Sequence, residues 1–160
     1  MTGLRVGIGV DAHGLAEGVP LVLAGVEFPA EPGLVGHSDG DVISHALIDA
    51  ILGAAGLGDI GWLFPSGDER WKGASSLDLL TRAYAVVQES GYELVNADCV
   101  LVGERPRLAP VREVMCRHLA SAMGVDSGRI AVRATTTDGL GFTGRGEGLA
   151  ATAVALLTAR

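Results

Sequence analysis

The segment from His37 to Phe64 concentrates side chains that could take part in chemistry. Asp41, His45 and Asp49 recur at intervals of four residues, a spacing that stacks them along one face of a helix. Carboxylate oxygens and imidazole nitrogens are ordinary ligands for zinc, so this ridge could contribute to a metal site. A lone helical histidine is more often structural or exposed, and the ridge alone leaves both interpretations open.

A second pair of candidate ligands lies near the amino terminus. Residues 4–12 have the apolar pattern of a buried strand, and Asp11 and His13 come at or near its end. Two side chains separated by one residue point to the same side of a strand, so Asp11 and His13 could form half of a metal site that takes a third ligand from elsewhere. A polar turn that closes the strand explains the same residues equally well.

A helix must position the ridge. Apolar residues at i, i+3 and i+4 from Val42 to Ala54 predict a core-facing helix that ends near residues 56–58. Asp39 and Asp41 lie at the start of this helix, where their carboxylates are predicted to cap it. Other predicted strands lie at 21–28, with a bend or hairpin at 24–25, and at 92–103 and 129–137, and loops are predicted at 31–33 and 138–148. Two further helices are predicted, one from 75 to 91 opened by a Ser75/Asp78 capping box and one from Pro110 at its first position to Gly124. The last segment is ambiguous, because its alanines favour helix and its place after a hairpin-like loop favours strand.

Composition bounds the kind of protein. The 160 residues fit one domain, 1–160, of the α/β or α+β class. A net charge of −7 argues against a nucleic-acid-binding surface, and no apolar run is long enough to span a membrane. The first residues lack the uninterrupted apolar core of a signal peptide, so we expect a cytoplasmic protein. Cys99 and Cys116 lack the spacing of a metal or redox motif and are interpreted as reduced packing residues.

Four segments carry a resemblance to a known family. RVGIGVDAH, HSDGDVISHALIDA, LGDIGWLFP and ATTTDGLGFTGRGEG, in this order across nearly the whole chain, resemble the 2-C-methyl-D-erythritol 2,4-cyclodiphosphate synthases of the non-mevalonate isoprenoid pathway. The resemblance implies an α+β fold with a mixed four-stranded sheet and helices packed on one face, in which the last segment is a strand. It also implies a homotrimer whose active sites lie at subunit interfaces.

The resemblance implies a lyase reaction. The 2-phosphate of 4-diphosphocytidyl-2-C-methyl-D-erythritol 2-phosphate would attack the β-phosphate of the same molecule, which gives the cyclodiphosphate and CMP. Zinc would bind to Asp11, His13 and His45, and Asp138 would hold a second divalent cation, magnesium or manganese, with the substrate diphosphate. The alternative from the residues alone is a zinc-dependent phosphohydrolase that uses a metal-bound water.

The resemblance also implies substrate contacts. Besides the metal ligands, Thr136 is implied as a catalytic residue. The implied substrate-binding residues are His37, Ser38, Asp49, Asp59, Gly61, Asp68, Gly103, Pro106, Arg107, Leu108, Ala134, Thr135, Thr136, Thr137, Phe142 and Arg145. The chain departs from the family pattern where Arg107 replaces a common Lys, Ser66-Gly67-Asp68 replaces Asp-Thr-Asp, Asp138 replaces Glu, and Gly139 replaces a frequent Lys.

Overall fold

The computed structural model of the chain describes residues 3–160, so the first two residues of the predicted domain lie outside the described part. The strands are β1 (Leu4–Ala16), β2 (Val22–Leu23), β3 (Val26–Glu27), β4 (Gly33–Leu34), β5 (Tyr92–Val102), β6 (Ile130–Thr135) and β7 (Gly148–Ala159). The helices are α1 (Val42–Ala55), α2 (Ile60–Leu63), α3 (Ser76–Glu89), α4 (Arg112–Met123) and α5 (Gly141–Gly144). Two 3-10 turns lie at Glu69–Trp71 and Ser127–Arg129.

The main sheet is mixed and has five strands in the order β4-β1-β7-β5-β6. Strands β5 and β6 are parallel, whereas β7 runs antiparallel to both β1 and β5. The predicted α+β class and mixed sheet are confirmed, but the predicted count of four strands is wrong. The additional strand is β4, whose two residues pair with the end of β1, and a strand so short has no periodicity that a sequence pattern could detect.

The helices cover one face of this sheet. Helix α1 packs against β1 and β7, α3 packs against α1, and α4 lies against β6. Alternate side chains of β7 are buried under this layer, namely Leu149, Ala151, Ala153, Ala155 and Leu157. On β1 the opposite face is open, and Val6 and Ile8 there are 70% and 66% exposed. One face of the sheet therefore forms the core, and the other presents an apolar surface.

Two glycines allow α1 to lie unusually close to β1. A Cβ atom built at Gly7 would lie 2.0 Å from the carbonyl oxygen of Ala50, and one at Gly9 would lie 1.9 Å from that of Ala46. Any side chain at these positions would push the helix away from the sheet, because no real Cβ contact is that short. The close approach brings His45, the neighbour of Ala46, over the end of β1.

Some local predictions are confirmed and others need correction. The predicted hairpin at Ala24-Gly25 joins β2 to β3, and the last segment is a strand because it pairs with both β1 and β5. The predicted 31–33 loop contains the start of β4, and the predicted 138–148 loop contains α5 and the first residue of β7. Helix α4 begins at Arg112, so Pro110 precedes the helix and does not occupy its first position.

The predicted Asp41 cap is confirmed, whereas the Asp39 cap and the Ser75/Asp78 capping box need revision. The Asp41 carboxylate caps α1 by accepting from the main-chain N–H of Ser44, whereas Asp39 accepts from the N–H of Asp41 itself. Asp41 also accepts from the N–H groups of Ala24 and Gly25, so it is buried and is not part of an exposed ridge. The Ser75 side chain makes no capping hydrogen bond, so the predicted capping box is wrong.

Within residues 3–160, none of the helices has the length and apolar character needed to cross a bilayer. Cys99 is buried in β5 and Cys116 is partly buried in α4, and both are free thiols. Burial raises the pKa of the Cys99 thiol, which keeps it protonated.

Candidate active site

Three predicted metal ligands meet where α1 begins above the end of β1. The Oδ2 atom of Asp11 lies 2.8 Å from Nε2 of His13 and 3.0 Å from Nδ1 of His45. The two ring nitrogens lie 3.3 Å apart. One ligand atom from each residue falls within 4.8 Å of the other two, so a single metal ion could contact all three.

Outer contacts orient the two imidazole rings. Nδ1 of His13 lies 2.8 Å from the carbonyl oxygen of Val35, which can only accept a hydrogen bond. The proton of the neutral His13 ring therefore sits on Nδ1, and Nε2 offers its lone pair to the cluster. Nε2 of His45 lies 2.8 Å from the hydroxyl of Ser76 and 3.0 Å from that of Ser38, which leaves Nδ1 facing Asp11.

The donor set fits zinc. One carboxylate oxygen and two imidazole nitrogens are typical of a catalytic zinc site, in which a fourth coordination position stays open for water or substrate. Burial tends to raise the pKa of the Asp11 carboxyl, but its polar contacts with the His13 and His45 imidazoles outweigh it and hold that pKa at about 2. Because a His13 ring protonated at Nε2 can donate to Asp11, this contact raises the pKa of His13, so protons compete with a metal for this imidazole.

A cavity of about 420 Å³ opens beside the cluster. His37, Ser38 and Gly61, which the resemblance implies as substrate contacts, line it together with the three metal ligands. The other lining residues are mostly apolar, namely Ile60, Phe64, Pro65, Ser66, Gly67, Trp71 and Leu79. The cavity is therefore a largely apolar chamber with its polar groups concentrated at one wall.

Two of the predicted hydroxyl-binding carboxylates shape the wall of this cavity. Oδ1 of Asp49 accepts from the main-chain N–H of Ile60 at 2.7 Å, and Oδ1 of Asp59 caps α2 by accepting from the N–H of Trp62 at 2.8 Å. These bonds fix the turn that presents Gly61. Burial raises the pKa of the Asp49 carboxyl.

The carboxylate of Asp68, a predicted substrate-binding residue, is already hydrogen-bonded within the protein. Its carboxylate accepts from the main chain and the guanidinium of Arg70, with the shortest contact to Nη2 at 2.6 Å. Its main-chain oxygen lies 3.1 Å from Nε2 of His37. Asp68 therefore anchors the loop that orients His37, and a direct substrate contact stays a prediction.

The remaining predicted substrate-binding residues lie at the same end of the sheet as the metal ligands but on other strands. Ala12 on β1 is aligned with Ala150 on β7, then with Val102 on β5 and Thr135 on β6. Three strand spacings of about 4.8 Å place Thr135 roughly 14 Å from Ala12. Consistent with that separation, neither the 103–108 segment nor the 134–138 segment lines the metal cavity of the same chain.

The loop after β6 has a defined geometry. The hydroxyl of Thr136 donates to Oδ1 of Asp138 at 3.1 Å, so these two predicted catalytic residues are in contact. Asp138 has a φ of +52°, a left-handed conformation that Asp tolerates better than most residues. Glu104 accepts from the N–H of Thr137 at 3.3 Å and thereby ties this loop to the 103–108 segment, which holds predicted substrate-binding residues.

The other predicted substrate-binding residues that lie away from the metal cavity differ in exposure. Leu108 is buried and Gly103 is packed against Leu149, whereas the remaining residues are partly or fully exposed, namely Pro106, Arg107, Ala134 and Phe142. The guanidinium of Arg145 pairs with Glu147, with Nε 2.7 Å from Oε1. Phe142 belongs to α5 and Arg145 follows its last residue, and neither lines the metal cavity.

Sequence analysis missed two residues behind His45. Asp39 was interpreted as a helix cap and Ser76 was given no role, yet both connect to the outer nitrogen of His45. They are separated by 37 positions, so no local pattern links them.

Comparison with known proteins agrees with the geometry. Residues 4–158 match the model of the YgbB family. A protein of Moorella thermoacetica is 55% identical over 157 residues, which cover 98% of this chain and 96% of that protein. One of Rubrobacter xylanophilus is 56% identical, with coverage of 98% and 96%. Both are named 2-C-methyl-D-erythritol 2,4-cyclodiphosphate synthase.

Solved structures are similar over the whole chain. The bifunctional IspDF from Campylobacter jejuni superposes with a TM-score of 0.96 at 45% identity, and the match covers all of this chain but 43% of that one. A CDP complex of IspF from Plasmodium falciparum superposes with a TM-score of 0.86 at 30% identity, covering 100% of this chain and 99% of that one.

Proposed function

The chain belongs to the YgbB family of 2-C-methyl-D-erythritol 2,4-cyclodiphosphate synthases, lyases of the non-mevalonate isoprenoid pathway, and from this premise we propose how its own residues close the ring. The substrate would be 4-diphosphocytidyl-2-C-methyl-D-erythritol 2-phosphate. An oxygen of its 2-phosphate attacks the β-phosphorus, and the bond from that phosphorus to the oxygen bridging to the α-phosphate breaks. CMP leaves with that oxygen, so no atom is taken from water.

No protein nucleophile takes part, so the residues act by position and charge. Zinc bound to Asp11, His13 and His45 would supply a Lewis acid that neutralises charge on the β-phosphate. His37 and Ser38 face the same cavity and would orient the phosphorylated methylerythritol, while the turn fixed by Asp49 and Asp59 presents main-chain groups to its hydroxyls. The apolar wall would exclude water, which favours attack by the 2-phosphate over hydrolysis.

The second half of the site would hold the nucleotide. Asp138, already in contact with Thr136, would hold a magnesium or manganese ion against the diphosphate, because such ions prefer oxygen ligands. The cytidine would lie along residues 103–108 with Ala134. The chain has a net charge of −7, so its attraction for so anionic a substrate has to be local, and metal ions and main-chain amides would provide it. A cytoplasmic location stays a prediction.

We include in the proposal that three copies assemble and share active sites. In one chain the metal cavity and the Thr135–Asp138 loop are roughly 14 Å apart by strand spacing, which is too far for one diphosphate to contact both. The open face of β1 presents an apolar row of Leu4, Val6, Ile8 and Val10, each more than half exposed. An apolar sheet face of this kind is suited to contact with other subunits.

The observation that carries the proposal is the convergence of Asp11, His13 and His45 at the wall of a cavity. The purified protein should release CMP and form a cyclic diphosphate, seen by phosphorus NMR, when it is given substrate, zinc and magnesium. The variant His45→Ala should lose zinc and activity together. His118→Ala is the matched control, because His118 hydrogen-bonds the carbonyl of Ala24 and lies outside the cavity. A linear product would support the zinc phosphohydrolase, and full zinc content in His45→Ala would refute the ligand assignment.

Complementation tests the shared site. Either His45→Ala or Asp138→Ala alone should be inactive, because each removes one half of every site. With equal amounts of the two variants, random assembly would leave one intact site in each mixed trimer, which is about a quarter of all interfaces once unmixed trimers are counted. Recovery of activity towards that fraction after mixed refolding supports shared sites, and no recovery in verified mixed trimers, or a monomeric active protein, contradicts them.

A further inference from the structure

We propose that Asp39 and Ser76 act as positioning residues that fix which ring nitrogen of His45 carries the proton of the neutral imidazole and thereby strengthen metal binding at the site. A hydrogen-bonded chain runs from Asp39 through Ser76 to His45, on the side of the imidazole that faces away from Asp11. The hydroxyl of Ser76 donates to Oδ1 of Asp39, and its oxygen lies 2.8 Å from Nε2 of His45. This inference rests on the proposed metal site.

The chemistry of Asp39, Ser76 and His45 determines which group donates in each of these hydrogen bonds. An ionised carboxylate only accepts hydrogen bonds, so the single proton of the Ser76 hydroxyl is committed to Asp39. The Ser76 oxygen can then act only as an acceptor towards His45. Nε2 of His45 therefore carries the proton of the neutral ring, and Nδ1, the nitrogen nearest Asp11 and His13, keeps its lone pair for a metal.

The surroundings hold this chain in one arrangement. Ser76 is fully buried and His45 is 8% exposed, so water does not compete for these bonds. The Asp39 carboxylate also accepts from the main-chain N–H of Asp41 at 3.0 Å and from that of Ser76 at 2.9 Å. Asp39 is thus fixed by the starts of both α1 and α3, and through Ser76 it holds the His45 ring in place.

Ser38 is a possible competitor for the same nitrogen. Its hydroxyl lies 3.0 Å from Nε2 of His45, but it lines the cavity and its proton is not committed to a carboxylate. It can donate or accept, so it does not impose a direction. Ser38 therefore adapts to either tautomer of His45, whereas Ser76 selects the one with the proton on Nε2.

The carboxylate and the hydroxyl behind a metal-bound histidine typically change metal affinity by about 10- to 100-fold when removed. The variant Ser76→Ala removes the hydroxyl but keeps the main-chain bond from residue 76 to Asp39. We expect its zinc affinity to fall by about 10- to 100-fold in chelator competition. Its metal-free form should be less stable than the wild type, because Asp39 and His45 each lose a hydrogen-bond partner, and zinc should raise its Tm by less than it raises that of the wild type. The visible absorption of the cobalt-substituted protein should shift because the ligand field at Nδ1 changes.

Controls separate this role from a structural one. Ser75→Ala changes the neighbouring serine, which is exposed and makes no capping hydrogen bond, so its zinc affinity should match that of the wild type. Ser38→Ala should weaken zinc by less than Ser76→Ala. If Ser76→Ala does not fold, Ser76→Cys takes its place with the same expected loss, because a thiol fills similar space and accepts hydrogen bonds weakly.

The outcomes are distinct. Wild-type zinc affinity and an unchanged cobalt spectrum in Ser76→Ala would overturn the inference, as would an equal loss in Ser38→Ala. A wild-type protein that binds no zinc would instead overturn the metal site on which the proposed function depends.

Discussion

Gly9 is the position at which a single methyl group should separate α1 from the metal ligands of β1. In Gly9→Ala the new Cβ would lie 1.9 Å from the carbonyl oxygen of Ala46 and 2.8 Å from the main-chain nitrogen of Ala50. Both neighbours are main-chain atoms inside a helix, so no side chain can rotate to make room. Ordinary van der Waals contact begins near 3.4 Å, so the helix has to retreat by about 1.5 Å.

That displacement has two measurable effects. A gap of about 0.5–1 Å already loses a quarter to a half of the dispersion energy of each contact, so the cost should reach the upper end of the usual 1–3 kcal/mol for overpacking, about 3 kcal/mol. For a chain of this length that corresponds to a fall in Tm of roughly 6–12 °C. His45 moves with the helix, whereas metal sites tolerate changes of about 0.2 Å in ligand distance, so zinc affinity should fall as well.

Thermal unfolding and chelator competition measure both effects on one purified variant. The matched control is Gly53→Ala on the same helix, because a Cβ there meets nothing nearer than the carbonyl oxygen of Ile8 at 3.9 Å. Alanine favours a helix over glycine, so Gly53→Ala should gain about 0.5–1 kcal/mol and leave zinc affinity unchanged. A Gly9→Ala protein with wild-type Tm and zinc affinity would refute the close-packing explanation.

Three further expectations concern protons, the second cation and the buried cap. In the metal-free protein, the raised pKa of His13 stabilises the fold below pH 6.5, the ordinary pKa of histidine, and this contribution is lost as the pH rises through the folded-state pKa. The lowered pKa of Asp11 stabilises the fold above pH 3.8, and this contribution is lost as the pH falls towards about 2. Zinc displaces the His13 proton, so the rise in Tm on adding zinc should be larger at about pH 8 than at about pH 6, and an equal rise at both would contradict it. Asp138→Ala should keep zinc yet lose most magnesium-dependent CMP release, whereas Asp138→Glu stays active; a wild-type magnesium titration of Asp138→Ala would exclude the second-cation role. Asp41→Ala leaves the N–H groups of Ala24, Gly25 and Ser44 without their acceptor, so denaturant unfolding should show a loss of about 3 kcal/mol or more, and a loss under about 1 kcal/mol would show that other groups replace it.

Sequence patterns predicted the parts of the fold that depend on neighbouring residues. The alternation of Asp11 and His13 on a strand and the first turn of α1 at His45 are local features, so the candidate ligands could be found before their contact was known. That contact depends on Gly7 and Gly9, whose role appears only when a helix lies on top of them. The final strand could not be decided from its alanines, because its pairing with β1 and β5 involves residues far away in the chain.

The errors have the same physical origin. Ser75 was expected to cap α3, but its side chain makes no capping hydrogen bond, and at the start of that helix the main-chain N–H of Ser76 donates to Asp39, a carboxylate from a distant segment. Asp41 was placed on a polar ridge, but its four acceptor contacts to the hairpin and to Ser44 bury it. In each case a hydrogen bond between segments far apart in the chain, which no local pattern reveals, fixes the position of the group.

The oxygen content of the product tests intramolecular ring closure most directly. The zinc- and magnesium-loaded protein is incubated with the cytidine-bearing substrate in water labelled with oxygen-18, and CMP and the second product are analysed by mass spectrometry. Attack by the 2-phosphate predicts CMP together with a cyclic diphosphate, neither of which contains the label. A linear product that carries one labelled oxygen would show attack by water and would contradict the proposed reaction.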